Sequence, residues 1–163
     1  HPQGNVLFDT GCHPSTATNA EARWGGMAKF MTPISGPQDN VIDELKKLSM
    51  RPDDIDVVQL YDAFTINPIL FLEDLGFCKK GEGGAFTSGG RIAPGGDFPM
   101  NTNGGGLSCV HPGMYSIFLI IEAVTQLRAE AGLRQVQNVE TALVHGNGGV
   151  LSSQATAILS SAW

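Results

Sequence analysis

The stretch Asn101-Thr-Asn-Gly-Gly-Gly-Leu-Ser-Cys-Val-His-Pro-Gly-Met-Tyr115 decides the fold. A short extended run enters three glycines, passes His111-Pro112, and leads directly into an apolar helix. Glycine admits backbone conformations and close approaches that a Cβ forbids. A helix that starts just beyond such a loop aims free N–H groups and the positive end of its dipole back at it. Ser108, Cys109, His111 and Tyr115 fall within eight residues of one another. That is the composition of a site for an anion or a developing oxyanion. Gly104, Gly105 and Gly106 are its candidate binding residues and His111 its first candidate catalytic residue.

Outward from this loop, short apolar runs alternate with helical patterns. Val6-Leu7-Phe8 reads as a strand, Gln38 to Ser49 as a helix, and Ile55 to Leu60 as a buried strand that delivers Tyr61-Asp62-Ala63-Phe64 to its end. A helix from Asn67 to Leu75 follows, with Pro68 in its first turn and Gly76 closing it. Phe98 to Asn103 is expected to be a third strand, and Gly113 to Ala131 the longest helix, burying Ile117, Ile120, Ile121 and Val124. Thr141 to Val144 reads as a fourth strand, and His145-Gly-Asn-Gly-Gly149 as a tight turn into a fifth, Ser152 to Leu159. So short a connection allows only antiparallel pairing. The order β-α-β-α-β-α-β-β predicts an α/β fold: a five-stranded, mixed but mostly parallel sheet covered by helices. Residues 12–37 and 81–97 read as long loops. Ten of the 21 glycines lie between Gly81 and Gly106, but Phe86, Ile92 and Phe98 punctuate them, which favours tight turns around a site over disorder.

The 163 residues suffice for one domain with a full core. A net charge of −6 argues against nucleic acid or an anionic membrane as the main partner. Cys12, Cys78 and Cys109 are odd in number and widely spaced, so neither a disulfide framework nor a zinc site is indicated, and no metal is expected. His13, beside Cys12, supports no metal site either. No apolar run is long enough to span a bilayer, no leader peptide is read, and a reducing cytoplasm is expected. The chain opens at His1-Pro2 and reads as a fragment of a longer protein.

Three motifs stand at predicted strand ends, where ligands bind in such sheets: Tyr61 to Phe64, the loop ending at His111-Pro112, and His145 to Gly149. Gly104-Gly105-x-x-Ser108-x-x-His111-Pro112 resembles the histidine motif of thiolases, which handle acyl-CoA thioesters. Tyr61-Asp62-Ala63-Phe64 resembles the family's Asn-Glu-Ala-Phe motif, and His145 to Gly149 its terminal glycine-rich motif. With all three in order, nearly the whole chain resembles the C-terminal half-domain of the thiolase fold, nearest to the sterol-carrier or lipid-transfer-protein branch.

The departures matter as much. In the family a nucleophilic cysteine lies on the N-terminal half-domain, outside this chain. The acid/base cysteine is expected one residue before His145, where Val144 stands, or in the sterol-carrier branch at the position of Ala63. Tyr61 and Tyr115, the only tyrosines of the chain, sit in the motif segments instead. This pattern resembles the aldolase subgroup that acts in steroid side-chain degradation. The resemblance implies retro-aldol cleavage of a β-hydroxyacyl-CoA to a ketone or aldehyde and a shortened acyl-CoA. It also implies CoA as part of the substrate with no other cofactor, a homodimer formed through the N-terminal half, and a small OB-fold partner protein. The chain alone is then expected to be inactive.

Tyr61, His111, Tyr115 and His145 are the candidate catalytic residues; the tyrosines would serve as acid and base, and His111 would donate to the thioester oxygen. Gly148 and Gly149 join Gly104, Gly105 and Gly106 as candidate binding residues. Bland readings stand beside these. Asp62 satisfies backbone donors at a strand end, Cys109 is structural, and His145 bonds local carbonyls. Two other functions stay open: a thiolase or CoA acyltransferase using Cys109 or His145, and a non-catalytic module whose glycine-rich loops dock a partner.

Overall fold

The computed structural model describes residues 7–9, 41–109, 113–148, 151 and 153–161. Its strands are β1 (Leu7–Asp9), β2 (Val57–Leu60), β3 (Thr141–Gly148) and β4 (Ser153–Ser160), joined in one sheet of order β1-β4-β3-β2. The helices are α1 (Val41–Lys47), α2 (Ile66–Asp74), α3 (Gly83–Phe86) and α4 (Ser116–Leu127). The predicted 12–37 loop lies outside the described residues, and α3 interrupts the predicted 81–97 loop.

The expected hairpin is present: β3 and β4 pair antiparallel from Thr141↔Ser160 to Gly148↔Ser153. Its turn falls later than predicted, because His145 to Gly148 continue the strand and only 149–152 connect. Ala142 to Gly146 are buried, Thr141 and Asn147 partly so, and the ladder runs out to an exposed Gly148. β2 lies parallel to β3, and all four of its residues are buried, as a strand covered on both faces requires. The Asp56 carboxylate fixes the start of that register by accepting from the backbone N–H groups of Glu140 and Thr141 at 2.9 and 2.8 Å.

Among the described residues the sheet has four strands rather than the five expected. β1, β2 and β3 run in one direction, but β4 is inserted between β1 and β3, so β2–β3 is the one parallel ladder among the described residues. The predicted strand 98–103 shrinks to an isolated parallel bridge between Val58 and Met100. Its residues explain this. Pro99 has no N–H to give, and Asn101 turns the chain away with φ +47°. The Asn101 side chain then completes the edge as a strand would. Its Oδ1 accepts from Leu60 N at 2.7 Å, and its Nδ2 donates to Leu60 O at 2.9 Å.

α2 and α4 cover opposite faces of the sheet. Phe71 of α2 meets the His145 ring, while the next residue, Gly146, faces α4 so closely that a Cβ there would sit 2.3 Å from Ser116 Oγ. α4 is rotated from the predicted orientation. Leu119, Glu122, Ala123 and Gln126 are buried, Ile117 and Ile121 stand half-exposed, and Ile120 is partly buried against the core. The helix is apolar on both sides, so periodicity points the wrong way; polar groups go inward because partners await them. Glu122 accepts from Thr102 Oγ1 at 2.7 Å and Gln126 Nε2 at 3.0 Å, and pairs with Arg134 Nη2 at 2.9 Å. Burial pushes the Glu122 carboxyl up, but the hydrogen bonds from Arg134, Thr102 and Gln126 outweigh it and hold the group below its ordinary value. Met114, Ile117, Phe118 and Ile121 are left as an exposed apolar strip. No helix among the described residues is long and apolar enough to cross a membrane.

Candidate active site

The end of β2 and the glycine loop meet at Asp62. Its carboxylate is buried and accepts from Gly106 N at 2.6 Å and from Leu107 N at 3.2 Å. The remaining loop donors are also engaged: Gly105 N donates to Asn103 Oδ1 at 2.9 Å and Gly104 N to Asn101 O at 2.8 Å. The anion cradle read from the sequence exists, but the chain's own carboxylate fills it. Of the three glycines Gly106 alone donates to Asp62, and the N–H groups of Gly104 and Gly105 are spent on Asn101 and Asn103, which corrects their expected role as donors to a ligand. Asp62 itself follows the bland reading, satisfying backbone donors at a strand end. Gly105 adopts φ +71°, ψ 179°, a conformation closed to other residues, and a Cβ there would sit 2.1 Å from Asp62 Oδ2.

The two tyrosines converge as expected. Their ring centroids lie 5.5 Å apart, edge to face. Tyr115 stands at the start of α4, where its ring also stacks on Phe118 and its edge faces the Gly106 backbone. Its hydroxyl is buried and, among the described residues, no group meets it with hydrogen-bonding distance and angle. Burial and the negative charge of Asp62 push its pKa to about 12, with the Asn103 side chain opposing weakly and Cys109 and Glu122 adding to the rise. Tyr61 is buried and raised by the same two causes, burial first and Asp62 second. Both phenols are therefore proton-bearing at neutral pH.

His145 does not join them. β-strand alternation sends its side chain to the α2 face, where it is fully buried and edge-on to Phe71 at 4.5 Å between centroids. Its Nδ1 shares a 2.8 Å hydrogen bond with Thr156 Oγ1, and among the described residues no group meets Nε2 in full hydrogen-bond geometry. The expected convergence of His145 with the tyrosines is corrected accordingly: Tyr61 N donates to His145 O, so the backbones adjoin while the side chains diverge. Burial pushes the imidazole down to about 4, against the pull of Asp74 and Gln154. A histidine lowered on folding contributes its full stability above about pH 6.5, and that contribution is lost as pH falls towards 4, to a total of about 3 kcal/mol. Urea midpoints measured from pH 7 to 4 should fall steeply in the wild type and less steeply in His145→Gln; parallel slopes would remove His145 from the titration.

His111 and Gly149 lie outside the described residues. Gly148 is a ladder residue opposite Ser153. Cys109 is exposed, adjoins Ser108, and lies close enough to Tyr115 for its charge to bear on it. The sequence reading missed the inward cluster of Gln59, Thr102, Glu122 and Arg134, in which Gln59 Nε2 donates to Thr102 Oγ1 at 2.9 Å and Thr102 passes the bond on to Glu122. An acid within an otherwise apolar helix was the available signal.

This fold, with a glycine loop locked between strand and helix, has counterparts. Residues 44–161 match the family model of thiolase C-terminal domain-like proteins, and the chain belongs to that family. It is 40% identical over 131 residues to an acetyl-CoA acetyltransferase of Methanothermobacter thermautotrophicus, covering 80% of this chain and 34% of that protein. It is 39% identical over 104 residues to the 17-hydroxy-3-oxo-4-pregnene-20-carboxyl-CoA lyase of Mycobacterium tuberculosis, covering 64% and 26%. The solved Ltp2-ChsH2(DUF35) aldolase superposes with a TM-score of 0.62 at 30% identity, over 73% of this chain and 30% of that one. The chain thus spans about a third or less of each relative's length.

Proposed function

We propose that this chain is the C-terminal half of a CoA-thioester lyase that cleaves a β-hydroxyacyl-CoA by a retro-aldol step, and that it works with a DUF35-type partner of OB fold. The carrying observation is the edge-to-face tyrosine pair beside Asp62, with Tyr115 presenting a buried hydroxyl that no described residue meets in full hydrogen-bond geometry. In the reaction a base removes the β-hydroxyl proton as the Cα–Cβ bond breaks. That bond's electron pair moves into the thioester enolate while the β-carbon becomes a carbonyl. An acid then protonates Cα. With its pKa near 12, Tyr115 suits the acid role, keeping its proton until the enolate forms. Tyr61 is assigned the base. Burial and Asp62 both oppose its phenolate in the free protein, so His111, as donor to the substrate oxygens, must supply the balancing positive field once substrate is bound. The relatives support this reading, because the lyase and the aldolase complex carry that chemistry in their names. The N-terminal half and the homodimer built through it lie outside the chain, and the apolar strip of α4 is the face we assign to that packing.

A second reading, an acyltransferase, is favoured by one observation: Cys109 is exposed beside Tyr115. Two variants of the complete protein with its partner separate the readings. Under the lyase reading, Tyr61→Phe lowers turnover about a hundredfold or more, and Cys109→Ala leaves it within a few-fold. The reverse pattern, an inactive Cys109→Ala beside a near-normal Tyr61→Phe, establishes the acyltransferase.

A further inference from the structure

The segment 101–103 is fastened to two elements at once. Asn101 bonds both Leu60 N and Leu60 O at the end of β2, at 2.7 and 2.9 Å. Thr102 accepts from Gln59 Nε2 of β2 at 2.9 Å and donates to Glu122 Oε1 of α4 at 2.7 Å. Asn103 follows, half-buried, and its Oδ1 accepts from Gly105 N at 2.9 Å. That bond orients the carboxamide. With its oxygen spent on the loop, its NH2 group is the end left to serve another partner. The Tyr115 ring lies next to this anchor, its edge 3.4 Å from where a Cβ on Gly106 would stand. The buried Tyr115 hydroxyl still offers acceptor capacity, since no described residue meets it in full hydrogen-bond geometry. Burial, Asp62, Cys109 and Glu122 all oppose a negative charge on that oxygen, and the Asn103 side chain favours it.

The geometry points to Asn103 as a positioning residue for the acid: its Nδ2 donates to the Tyr115 oxygen when that oxygen gives its proton to Cα. The phenol O–H bond breaks as the Cα–H bond forms, and the electron pair stays on the phenolate oxygen. The amide N–H then faces a charged acceptor, to which a hydrogen bond is about twice as strong as to a neutral one. Such a contact is often loose in the resting protein and tightens during reaction. The use of Asn103 in catalysis rests on the lyase reading; its hold on the Tyr115 phenolate does not.

The test uses the complete protein with its partner and the variants Asn103→Ser and Asn103→Asp. Both keep a side-chain oxygen two residues before Gly105 N, the spacing of an ST- or Asx-turn, and both remove the amide donor. Trifluorotyrosine placed at position 115 has a more acidic phenol, and its absorbance follows ionisation within the working pH range. The midpoint should rise by about one pH unit or more in both variants, the scale of one hydrogen bond to a charged group. With the natural Tyr115, turnover of 3-hydroxy-3-methylbutyryl-CoA to acetone and acetyl-CoA should fall about tenfold or more, with KM within about twofold and the melting temperature held. An unmoved midpoint in both variants overturns the assignment. A rise in Asn103→Asp alone is the added charge acting through space, and it overturns the assignment too. A midpoint raised in both beside unchanged turnover overturns the role in catalysis. If no hydroxyacyl-CoA is cleaved, the lyase reading fails, and the titration still decides whether Asn103 holds the phenolate.

Discussion

Tyr115→Phe should lower turnover of a β-hydroxyacyl-CoA at least about a hundredfold, the scale of a positioned acid, without loss of stability. The substitution deletes one oxygen. The edge contact with Tyr61 and the stacking on Phe118 both survive it. Among the described residues that oxygen meets no partner in full hydrogen-bond geometry, so its removal strands none of their donors or acceptors, and the melting temperature should hold or rise. KM should change little, since the hydroxyl acts on a proton that moves only in the transition state. The pH profile carries the same signature. An acid must hold its proton to work, and a pKa of about 12 places its loss beyond the range of ordinary assays. No alkaline decline below about pH 10 should trace to this residue. A variant that lost stability and activity together would make Tyr115 a packing residue.

Gly105→Ala should be the most destabilising single-methyl change in the loop. Its φ of +71° with ψ of 179° lies in a region that costs a residue with a Cβ about 1–3 kcal/mol. The new methyl would also meet Asp62 Oδ2 at 2.1 Å. Asp62 cannot withdraw without abandoning the Gly106 and Leu107 N–H groups, each about 1–3 kcal/mol when buried and unpaired. A loss of about 3–5 kcal/mol follows, a large part of the stability of an ordinary domain. Gly81→Ala is the control. Its φ is +86°, but no atom lies within 4 Å of the added methyl, so it should cost about 1–2 kcal/mol. Equal midpoint shifts in urea for the two variants would show that backbone conformation alone, and not the cradle around Asp62, makes Gly105 a glycine.

The parts legible in the sequence were those set by local chemistry. The hairpin of β3 and β4 followed from loop length, and the tyrosine pair from two motif segments at strand ends. The parts missed were set by tertiary competition. Periodicity could not orient α4, because Ile117 and Ile121 are as apolar as Leu119, and the inward pull comes from Thr102 and Arg134, distant in sequence. The glycine loop read as an open anion site, because nothing local says that Asp62 would occupy it from 44 residues away. His145 looked convergent with Tyr61 because their backbones adjoin; a turn one residue earlier would have reversed its face, and the strand runs on to Gly148. The strand at 98–103 was lost to Pro99 and to an asparagine side chain that does a strand's bonding.

The central claim, a retro-aldol step, is tested most directly by product stoichiometry. The complete protein with its partner is given a tertiary β-hydroxyacyl-CoA and no free CoA, and ketone, shortened acyl-CoA and thiol are counted together. The lyase reading predicts one ketone and one shortened acyl-CoA for each substrate consumed, with no thiol released or taken up. Thiol appearing without ketone, or cleavage seen only with a 3-oxoacyl-CoA in the presence of added CoA, would contradict it.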